Sequence, residues 1–270
     1  MPCAPDSWPQ RIVCLTEETT EMLYLLGEQQ RIVGISGFTV RPPQARKEKP
    51  KVSAFTSAKV ERILALEPDL VLGFSDMQAD IAAELVRAGL EVRIFNQRSI
   101  AGIFRFIIEL GRLVGREADT LAWVEQRRQA LDGIARRTAA WPRRPRVYFE
   151  EWYDPLICGI GWVSELIAIA GGEDCFADLA RSAAARGRIL ADPQQVVEAQ
   201  PEIIIGSWCG RKFRPERVAD RPGWGQIPAV RDGRLYEIKS SLILQPGPAC
   251  LTDGLDRLVE ILEQWQQNHE

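Results

Sequence analysis

Residues 59–73 read KVERILALEPDLVLG, and residues 192–206 read DPQQVVEAQPEIIIG. Each stretch runs from a short helix-like segment through a proline and an acidic residue into three aliphatic residues and a glycine. Short aliphatic runs bounded by proline and glycine predict buried strands. The two stretches lie 133 residues apart, which indicates an internal duplication. Chance similarity of two strand–helix units is the alternative.

The repeat extends outward on both sides. RIVCL at residues 11–15 and RVYFE at residues 146–150 are both an arginine followed by a strand-like run. Each is followed by an apolar-patterned helix that ends at glycine, as helices commonly do. Further strands are predicted at residues 92–95 and 235–238. Strands that alternate with helices imply parallel sheets, so the sequence predicts an α/β protein of two similar lobes.

Two helical stretches separate the halves. Residues 100–114 are strongly apolar, whereas residues 116–140 are charged and amphipathic and would span about 37 Å as one helix. We therefore expect one long helix to join the lobes, and a last helix over residues 254–265. The predicted organisation is an N-terminal extension, a first lobe, a linking helix and a second lobe, at residues 1–10, 11–115, 116–141 and 145–270.

Composition excludes several classes of protein. Lys and Arg number 34 against 37 Asp and Glu, so nothing favours nucleic-acid binding. No apolar run approaches the roughly 20 residues of a membrane-spanning helix. The one histidine, His269, is next to the C-terminus, which argues against Ser-His-Asp, Cys-His and HExxH chemistry. We also expect a monomer.

The six cysteines form no CxxC pair, so zinc and thioredoxin-type sites are unsupported and free, mostly buried thiols are expected. The first residues, MPCAPDSW, show neither a basic nor an apolar signal segment. On that ground we expect a cytoplasmic protein, or a processed form of an exported one.

Candidate site residues follow the predicted strands, because ligands of parallel α/β sheets bind outside the carboxyl ends of the strands. Glu17–Glu18 and Glu150–Glu151 follow the first strand of each half, and favour binding a ligand over catalysis. Aromatic residues suit a broad, partly apolar ligand, and arginines suit carboxylates or phosphates. The candidate ligand-binding residues are Glu17, Glu18, Phe38, Arg41, Phe74, Arg98, Glu151, Trp152, Tyr153, Trp162, Trp208, Cys209 and Arg211. No catalytic residue and no metal site is predicted.

Three stretches carry a family resemblance. They are EWYDPLICGIGWVSELIAIAGG at 151–172, RPGWGQIPAVRDGRLYEI at 221–238 and QPGP at 245–248. Together with residues 11–27 and 63–73, they resemble the class III substrate-binding proteins of ABC importers, which bind vitamin B12, haem or ferric siderophores. The cobalamin-binding branch is the most similar in appearance.

The resemblance implies two α/β lobes joined by a long helix, with a ligand held reversibly in a cleft between them. It also implies docking to a transporter permease through one acidic residue per lobe, for which Asp80 and Glu216 are the candidates. If the ligand is haem, the axial candidates are Tyr153, Cys158 and Cys209. The sequence departs from the family at Glu17–Glu18, where Ser-Pro is common.

The sequence thus favours a non-enzymatic binding protein for a cofactor-like ligand, cobalamin first and then a ferric siderophore or haem, with no intrinsic cofactor. A cytosolic carrier of the same fold is one alternative. An enzyme that uses the Glu17–Glu18 and Glu150–Glu151 carboxylates on a smaller ligand is another. A third is a subunit or adaptor whose cleft binds nothing.

Overall fold

The computed structural model of the chain describes residues 8–269. By their contacts, these residues divide into two units. The first extends to Gln97 and adds Ala101–Gln126, and the second comprises Arg98–Ile100 and the chain from Arg127 onward. The boundary falls within one long helix, Glu117–Ala139, so that helix belongs to both units.

The first unit is built on a sheet in the order β3-β2-β1-β4-β5, and every neighbouring pair is parallel. The strands are β1 Ile12–Cys14, β2 Ile32–Ser36, β3 Lys51–Ser53, β4 Leu70–Phe74 and β5 Val92–Phe95. The helices are α1 Glu17–Leu25, α2 Ala45–Glu48, α3 Val60–Leu64, α4 Ala79–Arg87, α5 Ile100–Leu113 and α6 Glu117–Ala139.

The central strands of this sheet are apolar throughout because both of their faces are covered. Ile12, Val13 and Cys14 of β1 are fully buried, as are Val71 and Leu72 of β4. Continuous aliphatic strands of this kind are typical of parallel sheets with helices on each face. The arrangement brings the carboxyl ends of β1, β2 and β4 to one edge of the sheet.

The second unit has a sheet in the order β10-β9-β6-β7, with β8 paired to β6. Its strands are β6 Arg146–Tyr153, β7 Leu156–Cys158, β8 Glu173–Asp174, β9 Ile203–Gly206 and β10 Leu235–Glu237. Its own helices are α7 Gly161–Ile169, α8 Ala177–Ala180, α9 Gln194–Ala199, α10 Pro215–Ala219, α11 Pro228–Arg231, α12 Ser240–Ile243 and α13 Asp253–Gln267.

The sequence predicted parallel sheets, but the second sheet contains one antiparallel pair. Strands β6 and β7 are antiparallel, with Tyr153 opposite Leu156. Only Asp154 and Pro155 separate the two strands, and a connection that short can join antiparallel strands only. The remaining three pairs of this sheet are parallel, as expected: β6–β8, β6–β9 and β9–β10.

The duplication is visible in the hydrogen bonds before β4 and β9. Glu67 and Gln200, each followed by proline, both adopt left-handed backbone conformations, with φ of 45° and 46°. Arg11 donates from Nε to the carbonyl of Glu67 at 3.0 Å, and Arg146 donates from Nε to that of Gln200 at 3.1 Å. Two similar α/β units are therefore confirmed in atomic detail.

The same correspondence extends to the acidic residue after each proline. Asp69 accepts the backbone N–H of Arg11 at 2.9 Å, and Glu202 accepts that of Arg146 at 3.1 Å. Each carboxylate thereby fixes the start of the strand beside its own. Across residues 8–269, no helix combines the length and apolarity needed to cross a bilayer.

Candidate ligand-binding site

The carboxyl end of β1 leads directly into α1, whose first turn holds two of the predicted site residues. Glu17 is half-buried and Glu18 is buried. Thr16 donates from its hydroxyl to Glu18 Oε1 at 2.6 Å. Burial raises the pKa of Glu18 to about 7, and burial together with the charges of Glu18 and Glu21 raises that of Glu17 to about 8. Near neutral pH this turn therefore carries less negative charge than two ordinary glutamates would.

The predicted aromatic and basic residues of the first unit lie in three environments. Phe38, which follows β2, is 55% exposed and available to a ligand, whereas Phe74 lies within β4 and is 7% exposed. Arg41 is half-buried, and its Nε donates to Glu21 Oε1 at 2.8 Å. A ligand carboxylate would therefore share Arg41 with a carboxylate of α1.

The second unit corrects the position of Glu150 and Glu151. They were predicted to follow a strand, but both lie within β6, which continues to Tyr153. Glu150 is fully buried and accepts hydrogen bonds from Trp208 Nε1 at 2.9 Å and from the Tyr148 hydroxyl at 3.1 Å. Arg221 donates to both of its oxygens, at 2.6 and 2.9 Å. Glu150 is thus a structural carboxylate, not one that faces a ligand.

Glu151 is likewise held by an arginine. Arg188 is almost completely buried, and its Nη1 lies 2.5 Å from Glu151 Oε2 and 2.7 Å from the carbonyl oxygen of Cys158. Buried ion pairs are kept when hydrogen bonds replace the lost water. Glu151 itself stays half-buried, and its other oxygen, Oε1, accepts from Arg188 Nη2 at 3.3 Å.

Beyond Glu151, four aromatic rings pack in a row, which we call the aromatic ladder: Trp152, Tyr153, Trp208 and Phe213. Successive ring centroids are separated by 4.9, 4.6 and 5.1 Å. Trp152 and Tyr153 are half-buried, whereas Trp208 and Phe213 are buried. The outer end of the ladder therefore offers partly exposed rings on a packed base.

Two exposed arginines lie over that outer end. The Arg211 guanidinium is 5.7 Å from the ring centroids of both Trp152 and Tyr153, and its Nη1 donates to the Tyr153 hydroxyl at 2.5 Å. The Arg217 guanidinium is 5.9 Å from the Tyr153 ring. Sequence reasoning proposed Arg211 but missed Arg217, which lies in α10 and carries no local signal of its contact with β6.

Two predicted stacking residues are packing residues in this structure. Trp162 is 2% exposed, and its indole N–H donates to the carbonyl of Ile243 at 2.9 Å. Trp208 is 3% exposed, with its N–H bonded to Glu150. Both indole rings are buried and both N–H groups are hydrogen-bonded within the protein. Neither Trp162 nor Trp208 therefore presents a ring face on which a ligand could stack.

The remaining predicted residues occupy varied positions. Arg98 is half-buried and belongs to the second unit, and Cys209 is exposed in the loop after β9. Cys158 is 1% exposed, and burial raises the pKa of its thiol to about 12, so it is a poor axial ligand for haem. Asp80 in α4 and Glu216 in α10 are both exposed.

The cysteines of the described part of the chain carry no disulfide. Cys14, Cys158 and Cys175 are free thiols, and Cys3 lies outside the described residues. Within residues 8–269, no three His, Cys, Asp or Glu side chains come together in a way that could hold a metal ion.

Comparison with known proteins places these features in a family. YvrC of Bacillus subtilis (strain 168), an ABC transporter substrate-binding lipoprotein, is 26% identical over 261 residues, or 93% of this chain and 79% of the relative. A vitamin B12-binding protein of Vibrio parahaemolyticus is 24% identical over 264 residues, or 95% of this chain and 90% of the relative.

A solved structure shows the same fold. A periplasmic haem-binding protein from Pseudomonas aeruginosa superposes with a TM-score of 0.81 at 23% identity, covering 94% of this chain and 92% of that one. The sequence profile of the periplasmic binding proteins matches residues 12–242. The chain therefore belongs to the periplasmic binding protein family.

Proposed function

We propose that the chain is a non-enzymatic substrate-binding protein of an ABC importer, and that its ligand is cobalamin or another corrinoid, ahead of haem or a ferric siderophore. The vitamin B12-binding relative matches almost the whole chain, which supports the corrinoid. The lipoprotein relative supports a role in ABC transport.

The observation that carries the proposal is the outer end of the aromatic ladder under two arginines. Trp152 and Tyr153 offer partly exposed rings, and Arg211 and Arg217 place two cations over them. Flat side chains beside guanidinium groups suit a broad ligand that carries a negatively charged group. The corrinoid phosphate, the haem propionates and siderophore oxyanions all offer such a group.

In the first unit, Phe38 and the first turn of α1 are the groups that we propose for ligand binding. Phe38 is the exposed aromatic residue there, and Glu18 with its raised pKa could donate or accept a hydrogen bond. We further propose that Asp80 and Glu216 dock to a permease, since both are exposed. The monomeric state remains a prediction, which sedimentation would test.

An enzyme built on paired carboxylates is not favoured. Glu150 is fully buried in its hydrogen bonds to Arg221, Trp208 and Tyr148, so it cannot reach a substrate. The cytoplasmic location expected from the sequence is also unsupported, because the relatives are periplasmic or lipoprotein binding proteins. We propose instead that the chain acts outside the cytoplasmic membrane.

Calorimetric titration tests the proposed ligand. Cyanocobalamin, haemin and ferrichrome are titrated separately into the wild-type chain and into Arg211→Gln, with the exposed Arg181→Gln as the matched control. We expect saturable binding of cyanocobalamin that Arg211→Gln weakens about 10-fold and Arg181→Gln leaves unchanged. Tighter binding of haemin or ferrichrome would reassign the ligand, and no binding of any of the three would refute the proposal.

A further inference from the structure

The turn that follows β4 in the first unit has an unusual backbone. Ser75 is buried, with φ of 72° and ψ of 162°, a region that residues other than glycine rarely adopt. Its N–H donates to the carbonyl of Phe95 at 2.7 Å, and its Oγ accepts the N–H of Met77 at 3.2 Å. The strained conformation is thus fixed by hydrogen bonds on both sides.

The side chain of Gln78 ties this turn to two neighbouring segments. It is fully buried, and its Oε1 accepts the N–H of Phe74 at 3.0 Å. Its Nε2 donates to the carbonyl of Phe55, after β3, at 3.0 Å and lies 3.5 Å from that of Leu15, after β1. One amide therefore joins the chain at the ends of three parallel strands.

Gly73 leaves the space that this amide needs. A Cβ at position 73 would lie 2.5 Å from Gln78 Oε1 and 2.6 Å from Cδ1 of Ile94. Contacts that short would push the amide or the neighbouring strand away. The position of the Gln78 amide therefore depends on glycine at position 73.

The residue that this turn exposes is Met77. Its side chain is 56% exposed, whereas Phe74, which the sequence favoured as the ligand contact of this loop, is 7% exposed. Ligands of parallel sheets bind at the carboxyl ends of strands, and a flexible thioether fits irregular apolar surfaces. Met77 therefore presents an apolar side chain on a strained, rigidly held turn at the edge of the sheet where ligands of parallel sheets bind.

We propose that Met77 contacts the ligand and that Gln78 is a positioning residue that holds the turn in place for it. This inference rests on the proposed function, since it names a first-unit contact for the proposed ligand. Neither residue was predicted from the sequence. The hydrogen bonds of Ser75 and Gln78 show that the turn is fixed.

Methionine methyl NMR tests the contact. The sequence has three methionines, and Met22 in α1 is fully buried, so its ¹³C-methyl resonance is an internal reference. The wild-type protein is titrated separately with cyanocobalamin, gallium protoporphyrin IX and gallium-loaded ferrichrome, all diamagnetic. We expect the Met77 resonance to shift at saturation while the Met22 resonance stays in place.

Two variants and a control test the positioning. Gln78→Leu should sharpen the Met77 resonance of the free protein through greater mobility and raise Kd about 10-fold. Gln266→Leu, at a buried glutamine of α13 in the second unit, should do neither. Met77→Ala changes an exposed side chain, so it should raise Kd several-fold with an unchanged melting temperature.

Unchanged Met77 resonances at saturation of the wild type would overturn the contact and leave the proposed function standing. A Gln78→Leu protein with wild-type Met77 line width and Kd would overturn the positioning role. If the wild type binds none of the three probes, the proposed function fails, and the contact fails with it.

Discussion

Arg221 and Glu150 form a bidentate ion pair: Nη1 of Arg221 lies 2.6 Å from Oε2 of Glu150, and Nη2 lies 2.9 Å from Oε1. Glu150 is fully buried, and the same carboxylate also holds the indole of Trp208. The sequence suggested that Glu150 binds a ligand. In the structure, Glu150 instead holds Trp208, one of the two buried rings of the aromatic ladder.

Replacing Glu150 by glutamine should destabilise the second unit. The amide cannot accept both guanidinium hydrogen bonds and leaves the Arg221 charge without its partner, so we expect a loss of about 3 kcal/mol in the free energy of unfolding. Urea denaturation followed by tryptophan fluorescence measures this loss.

The matched control for that variant is Glu260→Gln, which breaks the exposed pair between Arg257 and Glu260. Exposed pairs contribute about 0.2–1 kcal/mol, so its effect should be much smaller. Equal stability losses in the two variants would show that the buried pair has no special role.

Trp208→Ala and Trp152→Ala should separate support from contact. Trp208 is 3% exposed, so its truncation leaves a cavity and should cost about 3–5 kcal/mol of stability. Trp152 is half-buried at the ladder's outer end, so its truncation should weaken ligand binding about 10-fold with a smaller cost in stability. Calorimetry and urea denaturation on both variants supply the comparison. The assignment fails if Trp208→Ala alone impairs binding while its stability is intact.

Stability should fall as the pH rises through neutrality. Folding raises the pKa of Glu17 to about 8 and that of Glu18 to about 7, from an ordinary value of 4.5. Between pH 4.5 and 8 the folded state therefore binds more protons than the unfolded state, and the free energy of unfolding decreases with pH. Urea midpoints measured at pH 5, 6, 7 and 8 should decline in that order.

The variant Glu18→Gln removes one of these titrations and should flatten the decline, because its amide stays neutral throughout. Glu216→Gln, at an exposed position in α10, is the control and should keep the wild-type slope. Identical pH profiles for Glu18→Gln and the wild type would contradict the assignment to this turn.

Glycine at position 67 should stabilise the protein. Glu67 is exposed and has φ of 45°, a conformation that costs most residues about 1–2 kcal/mol and glycine little. After the entropic cost of glycine, Glu67→Gly should gain about 0.5 kcal/mol. Glu61→Gly, in the exposed part of helix α3, should instead lose about 1 kcal/mol. Thermal denaturation that gives both variants the same sign of change would refute this expectation.

Much of the fold follows from local patterns. The aliphatic runs of β4 and β9 are buried strands. In each half of the repeat an arginine, Arg11 or Arg146, donates an equivalent hydrogen bond to the turn before that strand. Such elements are predictable because strand burial and the turn before each strand depend on neighbouring residues. The start of β6 was predicted, but its hairpin with β7 was missed because the continuation of β6 through Glu150 and Glu151 has no apolar pattern.

The candidate site was less predictable because its geometry depends on distant residues. Glu150 is buried through Arg221, which is 71 residues away in the chain, and Gln78 reaches Leu15 across 63 residues. Contacts between residues so far apart in the chain cannot be predicted from local sequence patterns. Aromatic residues could be selected by type, but whether they face a ligand or the core, as for Trp152 and Trp162, depends on the packed structure.

Retention of a ligand through desalting is the most direct test of the central claim, that this chain holds a cofactor-like ligand. The purified protein is incubated with excess cyanocobalamin, haemin or ferrichrome separately, desalted, and its absorption spectrum recorded. We predict a retained corrinoid spectrum at a ratio near one per chain. Desalted protein that carries none of the three visible spectra would contradict the claim.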